Sequence, residues 1–129
     1  MCSKIVFTTY ETPAHRLIVK GDGIIRVYAK PSHIDVEDIM NLSNAYAEIR
    51  GSGDKLKVIL DPTQEDTMSP QARQAVTVEM GKNISHLAVV SRKKHIRLLG
   101  NFFLKMKDLG FELKLFHDEE KAKEWLDSF

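Results

Sequence analysis

Apolar and polar positions along this chain fall into short strand-like runs that alternate with longer helix-like stripes. Ile5–Tyr10 is β-branched and aromatic enough to be a strand. Arg16–Lys20 and Ile24–Ala29 follow, separated by Gly21-Asp22-Gly23, and an Asp-Gly pair suits a tight hairpin with positive φ. Pro31 and Ser32 then break the strand. Leu56–Leu60 and His86–Val90 are compact apolar runs, suited to strands covered on both faces. Glu112–Phe116 is the last strand, and Asp61 to Met68 reads as a polar loop.

Between these runs the period changes to 3.6. Asp35–Arg50 places Val36, Ile39, Met40, Tyr46, Ala47 and Ile49 near one stripe, with Ser32 or Asp35 able to cap it and Gly51 with Gly53 able to end it. Ser69-Pro70 is an N-cap followed by proline at the first helical position, opening a helix to about Lys82 with Ala72, Ala75, Val76 and Met80 on one face. Lys94–Leu109 carries the widest stripe, built on Ile96, Leu98, Leu99, Phe102, Phe103 and Met106, with Gly100 inside it and Gly110 after it. Asp118 caps a final helix whose stripe is Ala122, Trp125, Leu126 and Phe129. This order, β(β)β-α-β-α-β-α-β-α, predicts right-handed crossovers and a mainly parallel α/β sheet with an N-terminal antiparallel hairpin.

Length and charge narrow the class further. At 129 residues the chain suits one domain, 1–129, that buries roughly two-thirds of its unfolded surface without a disulfide or metal. Nineteen basic and 18 acidic residues leave a net charge of +1, which argues against a dedicated nucleic-acid binder. The one cysteine, Cys2, excludes a disulfide framework. No signal-peptide pattern precedes Ile5, and no apolar stretch approaches the ~18 residues that span a bilayer, so the expected location is cytoplasmic, without membrane insertion.

A block of residues in the second half carries a resemblance. His86-Leu-Ala-Val-Val-Ser91, then Arg97-Leu-Leu-Gly100-Asn101-Phe102-Phe103-Leu104-Lys105, then Lys114-Leu-Phe116, Asp118-Glu-Glu and Ala122 to Trp125-Leu126 resemble a bacterial STAS/CRAL-TRIO-like family related to anti-sigma-factor antagonists, in a Bacteroidetes-type branch. The resemblance implies a sheet of four or five strands with about four helices packed mainly on one face. It implies a non-enzymatic regulatory or protein-interaction module. In that family a serine after the central strand, in an Asp-Ser-small pattern, starts the next helix and is phosphorylated. Here the strand ends Asp61-Pro62-Thr63 and the helix starts at Ser69. Asp61 matches and the run after it does not, so Ser69, with Asp61 and Thr63, is the positional counterpart of the switch. The other reading of Ser69 is a plain N-cap.

The residues themselves add a second site. Ligands of open parallel sheets sit beyond the carboxyl ends of the strands. His33, His117 and the run Arg92-Lys93-Lys94-His95 are expected there. Cations at a helix start are unfavourable unless an anion binds between them, so this edge is a candidate for a small anion or another small ligand. The wide stripe beyond Lys94 admits a lining for a lipid-sized cavity, or an interface, as an alternative to plain core. No metal-ligand spacing, phosphate loop or nucleophile elbow occurs, so no cofactor and no catalytic residue is assigned. The unpaired edge of the hairpin points to a homodimer, alongside a protein partner whose identity the sequence does not give.

Overall fold

The structure, a computed structural model, describes residues 8–90 and 110–129. The strands are β1 (Thr8–Glu11), β2 (His15–Val19), β3 (Ile24–Ala29), β4 (Ser32–Ile34), β5 (Leu56–Asp61), β6 (Glu65–Met68), β7 (Ile84–Val90) and β8 (Glu112–Phe116). The helices are α1 (Val36–Arg50), α2 (Pro70–Glu79) and α3 (Glu119–Asp127), with a 3-10 turn at Met80–Lys82. Six strands form one sheet in the order β1-β2-β3-β5-β7-β8. The pairs β1–β2 and β2–β3 are antiparallel, and β3–β5, β5–β7 and β7–β8 are parallel. The sheet is therefore mixed α/β and mainly parallel at its centre, as the alternating pattern predicts.

Two expectations need correction. The main sheet has six strands, not four or five, because Thr8–Glu11 pairs fully with β2 and adds an edge. The strand does break after Ala29, but Ser32 opens a further short one, and Asp61 to Met68 is not only a loop. Ser32–Ile34 and Glu65–Met68 pair as a separate two-stranded parallel sheet. Three and four residues long, and mostly polar, they carry no period-2 apolar signal. Their pairing with each other holds them. Three α-helices are present among the described residues, against the four expected. The predicted helix Lys94–Leu109, with Gly100, lies outside the described residues.

The central strands are buried on both faces, which their near-continuous apolar runs require. Ile25 and Val27 of β3, Val58 of β5, and Leu87 and Val89 of β7 face one core with Ile39, Leu42 and Tyr46 of α1 and Ala72 and Val76 of α2. Ile24, Ile59 and Ala88, one residue out of phase, face a smaller core with Ala122 and Leu126 of α3. Thus, among the described residues, α1 and α2 cover one face and α3 the other. Within α1, Met40 is exposed and Leu42, Ser43 and Ala45 are buried. The stripe is rotated from the sequence reading because it meets α2 as well as the sheet.

Local chemistry sets the turns. Gly23 takes the positive φ of the β2–β3 hairpin (+78°), while Asp22 accepts from the Ile24 N–H (3.1 Å). Asp35 caps α1 in a reciprocal box with Asp38, and Asp118 caps α3 by accepting from the Lys121 N–H (2.7 Å).

The last helix is held mainly by Ala122 and Leu126, both fully buried. Trp125 is half-buried, with ring centroids 5.7 Å from Phe116 and 5.8 Å from His86. We expect Leu126→Ala to cost about 2–5 kcal/mol and Trp125→Ala less, about 1–3 kcal/mol, since part of the indole is wet. Urea unfolding checks the order; a costlier Trp125 variant contradicts this view of the docking.

His15 is buried (3% exposed) on the inner face of β2, and its Nδ1 has no hydrogen-bond partner. Burial pushes its pKa down to about 4, against a partial opposing pull from the Asp38 carboxylate. The unfolded chain therefore takes the proton first. The contribution to stability is complete above about pH 6.5 and is lost as pH falls toward 4, on the order of 3 kcal/mol over that window. His15→Leu should flatten the fall of the urea midpoint between about pH 7 and 4.5. An equally steep wild type and variant would show that the imidazole is not held neutral.

Candidate functional site

The carboxyl ends of β3, β5 and β7, the β4–β6 sheet and the starts of α1 and α2 gather at one end of the sheet. At the end of β5, Asp61 Oδ1 accepts from the Thr63 N–H (2.9 Å) and from the Thr63 hydroxyl, a local turn that ends the strand. Three residues into the next strand region, His33 Nδ1 of β4 and the Thr67 hydroxyl of β6 are hydrogen-bonded across the small sheet.

Ser69 does more than cap. Its Oγ accepts from the Ala72 N–H (3.1 Å), which satisfies one free donor of the first turn of α2. The same hydroxyl donates to Asp35 Oδ1 (2.8 Å), and Asp35 is the N-cap of α1. The Ser69 N–H donates to the Ile34 carbonyl (2.9 Å). One hydroxyl thus ties the starts of two helices together. Asp35 is held below the usual carboxylate range, first by the Val36 N–H and then by the Ser69 hydroxyl. The charge on that carboxylate sets the chemistry of the place: a hydroxyl fits beside it, and a second anion is repelled.

The switch residues are thus only partly assembled. Asp61 and Thr63 meet each other, and Ser69 meets Asp35 instead. Asp35 reads as a capping residue from sequence, but its bond to Ser69 spans 34 residues and leaves no local signal. On the candidate anion edge, Arg92, Lys93, Lys94 and His95 lie outside the described residues. His33 and His117 are not brought together: His33 sits beyond β3 and His117 follows β8, and three strand spacings of ~4.8 Å separate β3 from β8.

The sequence reading does not include a polar cluster on the α3 face. Arg26 of β3 is 5% exposed. Its Nη1 and Nη2 donate to the two carboxylate oxygens of Asp22 (3.1 and 2.9 Å), and its Nε donates to Glu119 Oε1 (2.9 Å). The Asp22 carboxylate hydrogen-bonded to it raises the Arg26 pKa, and Glu119 adds to this. Burial, aided by Glu119, raises the Tyr28 phenol. Each guanidinium nitrogen of Arg26 finds an acceptor within the fold, so the cluster reads as a lock between the hairpin and α3. Among the described residues no group of three His, Cys, Asp or Glu side chains is arranged to hold a metal ion. A cavity of about 50 Å³ lies beneath α1 and α2, walled by His15, Leu42, Tyr46, Met80 and Leu87 among others. Ligand pockets run to ~300–1,000 Å³, and this cavity is well below that size. No helix among the described residues is long and apolar enough to cross a membrane.

This architecture has counterparts of known structure. An uncharacterized protein from the DUF3478 family, from Shewanella loihica PV-4 and described as having a SpoIIAA-like fold, superposes with a TM-score of 0.56 at 18% identity, covering 98% of each chain. The anti-sigma factor antagonist SpoIIAA in its unphosphorylated form superposes with a TM-score of 0.51 at 11% identity, covering 96% of this chain and 100% of that one. The fold is therefore SpoIIAA-like, of the STAS class. Residues 17–129 match the family model described as a domain of unknown function, DUF7793, and the chain belongs to that family. No curated protein matches it in sequence.

The Ser69–Asp35 bond makes a direct prediction. Ser69→Ala should cost about 1 kcal/mol through the lost cap. Ser69→Asp keeps a capping oxygen but places a second carboxylate against Asp35. It should therefore be less stable than wild type at neutral pH, where an isolated cap would tolerate the change. Asp35→Asn should remove most of that penalty. A double-mutant cycle in urea measures the coupling; strictly additive losses would mean that the two caps act separately.

Proposed function

We propose that this chain is a non-enzymatic regulatory module that binds a protein partner through the surface around β4, β6 and the first turn of α2, and that Ser69 is where a covalent change would alter that surface. One observation carries the reading: the Ser69 hydroxyl, at the rim of the molecule, links the starts of two helices through a charged acceptor. The likeness to SpoIIAA, a protein described as an anti-sigma factor antagonist with an unphosphorylated form, supports the same class of role.

The chemistry of such a change follows from the neighbours. A phosphate on Ser69 carries about −1.5 to −2 charges and no hydroxyl to donate. It loses the bond to Asp35 and is repelled by it, while the N–H groups at the start of α2 attract it. The two helix starts would be uncoupled, with a new anion on the exposed side. This differs from an isolated N-cap, which would accept the charge with no rearrangement. Arg92 and Lys93 remain candidates to pair with it.

The test uses a partner recovered from the native host. Ser69→Ala should leave binding intact. Ser69→Asp should abolish it, and Ser69→Asp combined with Asp35→Asn should keep binding low while restoring stability. That last variant separates a charge effect on the partner from simple loosening of the fold. Equal binding by wild type and Ser69→Asp would end the switch reading and leave a ligand at the carboxyl edge as the better account.

A further inference from the structure

The sheet ends at β8, and among the described residues no strand pairs with its outer edge. The opposite edge, β1, differs: its last residue, Glu11, is tied by ion pairs to Arg16 and Lys30. On β8 the side chains alternate. Glu112 and Lys114 lie on the α3 face, and Leu113 and Leu115 lie on the face of α1 and α2, with Leu115 37% exposed. An open edge bearing a large exposed apolar side chain is a template for another strand.

We infer that the occupant of this edge is the β8 of a second copy of this chain, paired antiparallel about a two-fold axis. The inference is independent of the reading of Ser69. A two-fold axis normal to the sheet keeps each face continuous, so directly opposed residues must share a face. Only registers whose residue numbers sum to an even value qualify. A sum of 224 sets Glu112 against Glu112 of the copy, and a sum of 228 sets Lys114 against Lys114. Like charges directly opposite are destabilising. A sum of 226 sets Glu112 against Lys114 of the second copy and Lys114 against its Glu112. On the other face it sets Leu113 against Leu113, and Leu115 against Phe111. The strand is thus complementary to itself in one register, as an isologous contact demands.

The charges are free to serve. Glu112 holds His86 Nε2 (3.1 Å) through one oxygen, Oε2, and 65% of its side chain is exposed. Lys114 makes no ion pair among the described residues and lies over the Phe116 ring, 5.5 Å from its centroid. Both cross-strand pairs are at the surface, so the dimer is a weak one that salt weakens further.

Sedimentation equilibrium from micromolar to about millimolar chain at low salt tests the inference, with hydrogen exchange beside it. Wild type should dimerise, and the amides of Glu112–Phe116 should exchange more slowly as concentration rises. Glu112→Lys alone and Lys114→Glu alone each oppose like charges, and each should raise the Kd about tenfold or more. An equimolar mixture of the two variants restores opposite charges at both pairs and should form the heterodimer. A wild type that stays monomeric throughout, with β8 exchange independent of concentration, would overturn the inference; so would single variants that dimerise like wild type, or a mixture no tighter than its parts. The first of these results leaves the edge to a different protein.

Discussion

The fold depends on the phase of three strands. β3, β5 and β7 must each bury both sides, and the period of two decides which residue goes where. Ile25, Val58 and Leu87 go to the larger core, while Ile24, Ile59 and Ala88 go to the smaller one. A slip of one residue in any of them would exchange the two cores, which differ in volume. The register therefore has little freedom, and the edges inherit it. Because β8 continues the parallel register of β7, Leu113 faces the larger core and Glu112 and Lys114 face the other side.

Arg26 shows the strength of that constraint. The phase of β3 sends residue 26 to the α3 face, between Ile24 and Tyr28, where a guanidinium should be costly to desolvate. The sequence meets this with a turn: Asp22 stands four residues before Arg26 and supplies both carboxylate oxygens, and Glu119 arrives from α3. The hairpin is therefore more than a reversal of the chain. It delivers the counter-charge.

Local chemistry made much of this legible in advance. Ser69-Pro70, Asp118 and the glycine turn at 21–23 act through neighbours within a few residues, so their roles can be read from spacing. Five of the six main strands show as runs rich in apolar residues, while Thr8–Glu11 is mostly polar and is held by pairing with β2. What escaped reading depends on distant partners. β4 and β6 exist because Ser32–Ile34 and Glu65–Met68 find each other across more than thirty residues, and neither stretch has an apolar period. Met40 fits the periodic stripe of α1 yet is exposed, because α2 competes with the sheet for the surface of α1. The candidate site divides along the same line. Ser69 reads as a cap from its neighbours alone, whereas its bond to Asp35, which decides how a charge there would behave, is a tertiary contact. His33 and His117 looked like neighbours only because both follow strands; the strand order parts them.

The last helix raises the question of how nine residues stay docked, since a helix this short is marginal by itself. Its tight connection from β8 sets the answer. With Asp118 as cap, the helix starts at the carboxyl edge and runs back across the sheet. Its first turn brings Glu119 to Arg26, and its end brings Trp125 and Phe129 over the amino end of β7. There the Phe129 ring stacks on His86 at 3.9 Å, and Lys57 Nζ donates to the Phe129 main-chain oxygen (2.7 Å). Lys57, His86 and Glu112 stand in one cross-strand row, so the helix end rests on three strands at once. Polar contacts hold one end, aromatic stacking the other, and Ala122 and Leu126 fill the space between. Neither end alone would suffice. Glu119 keeps nearly half of its side chain in water while it pairs with the buried Arg26, and a stacked ring with half its area in water gains little. Joined by the two buried residues, they fix the helix at three points, and the smaller core closes.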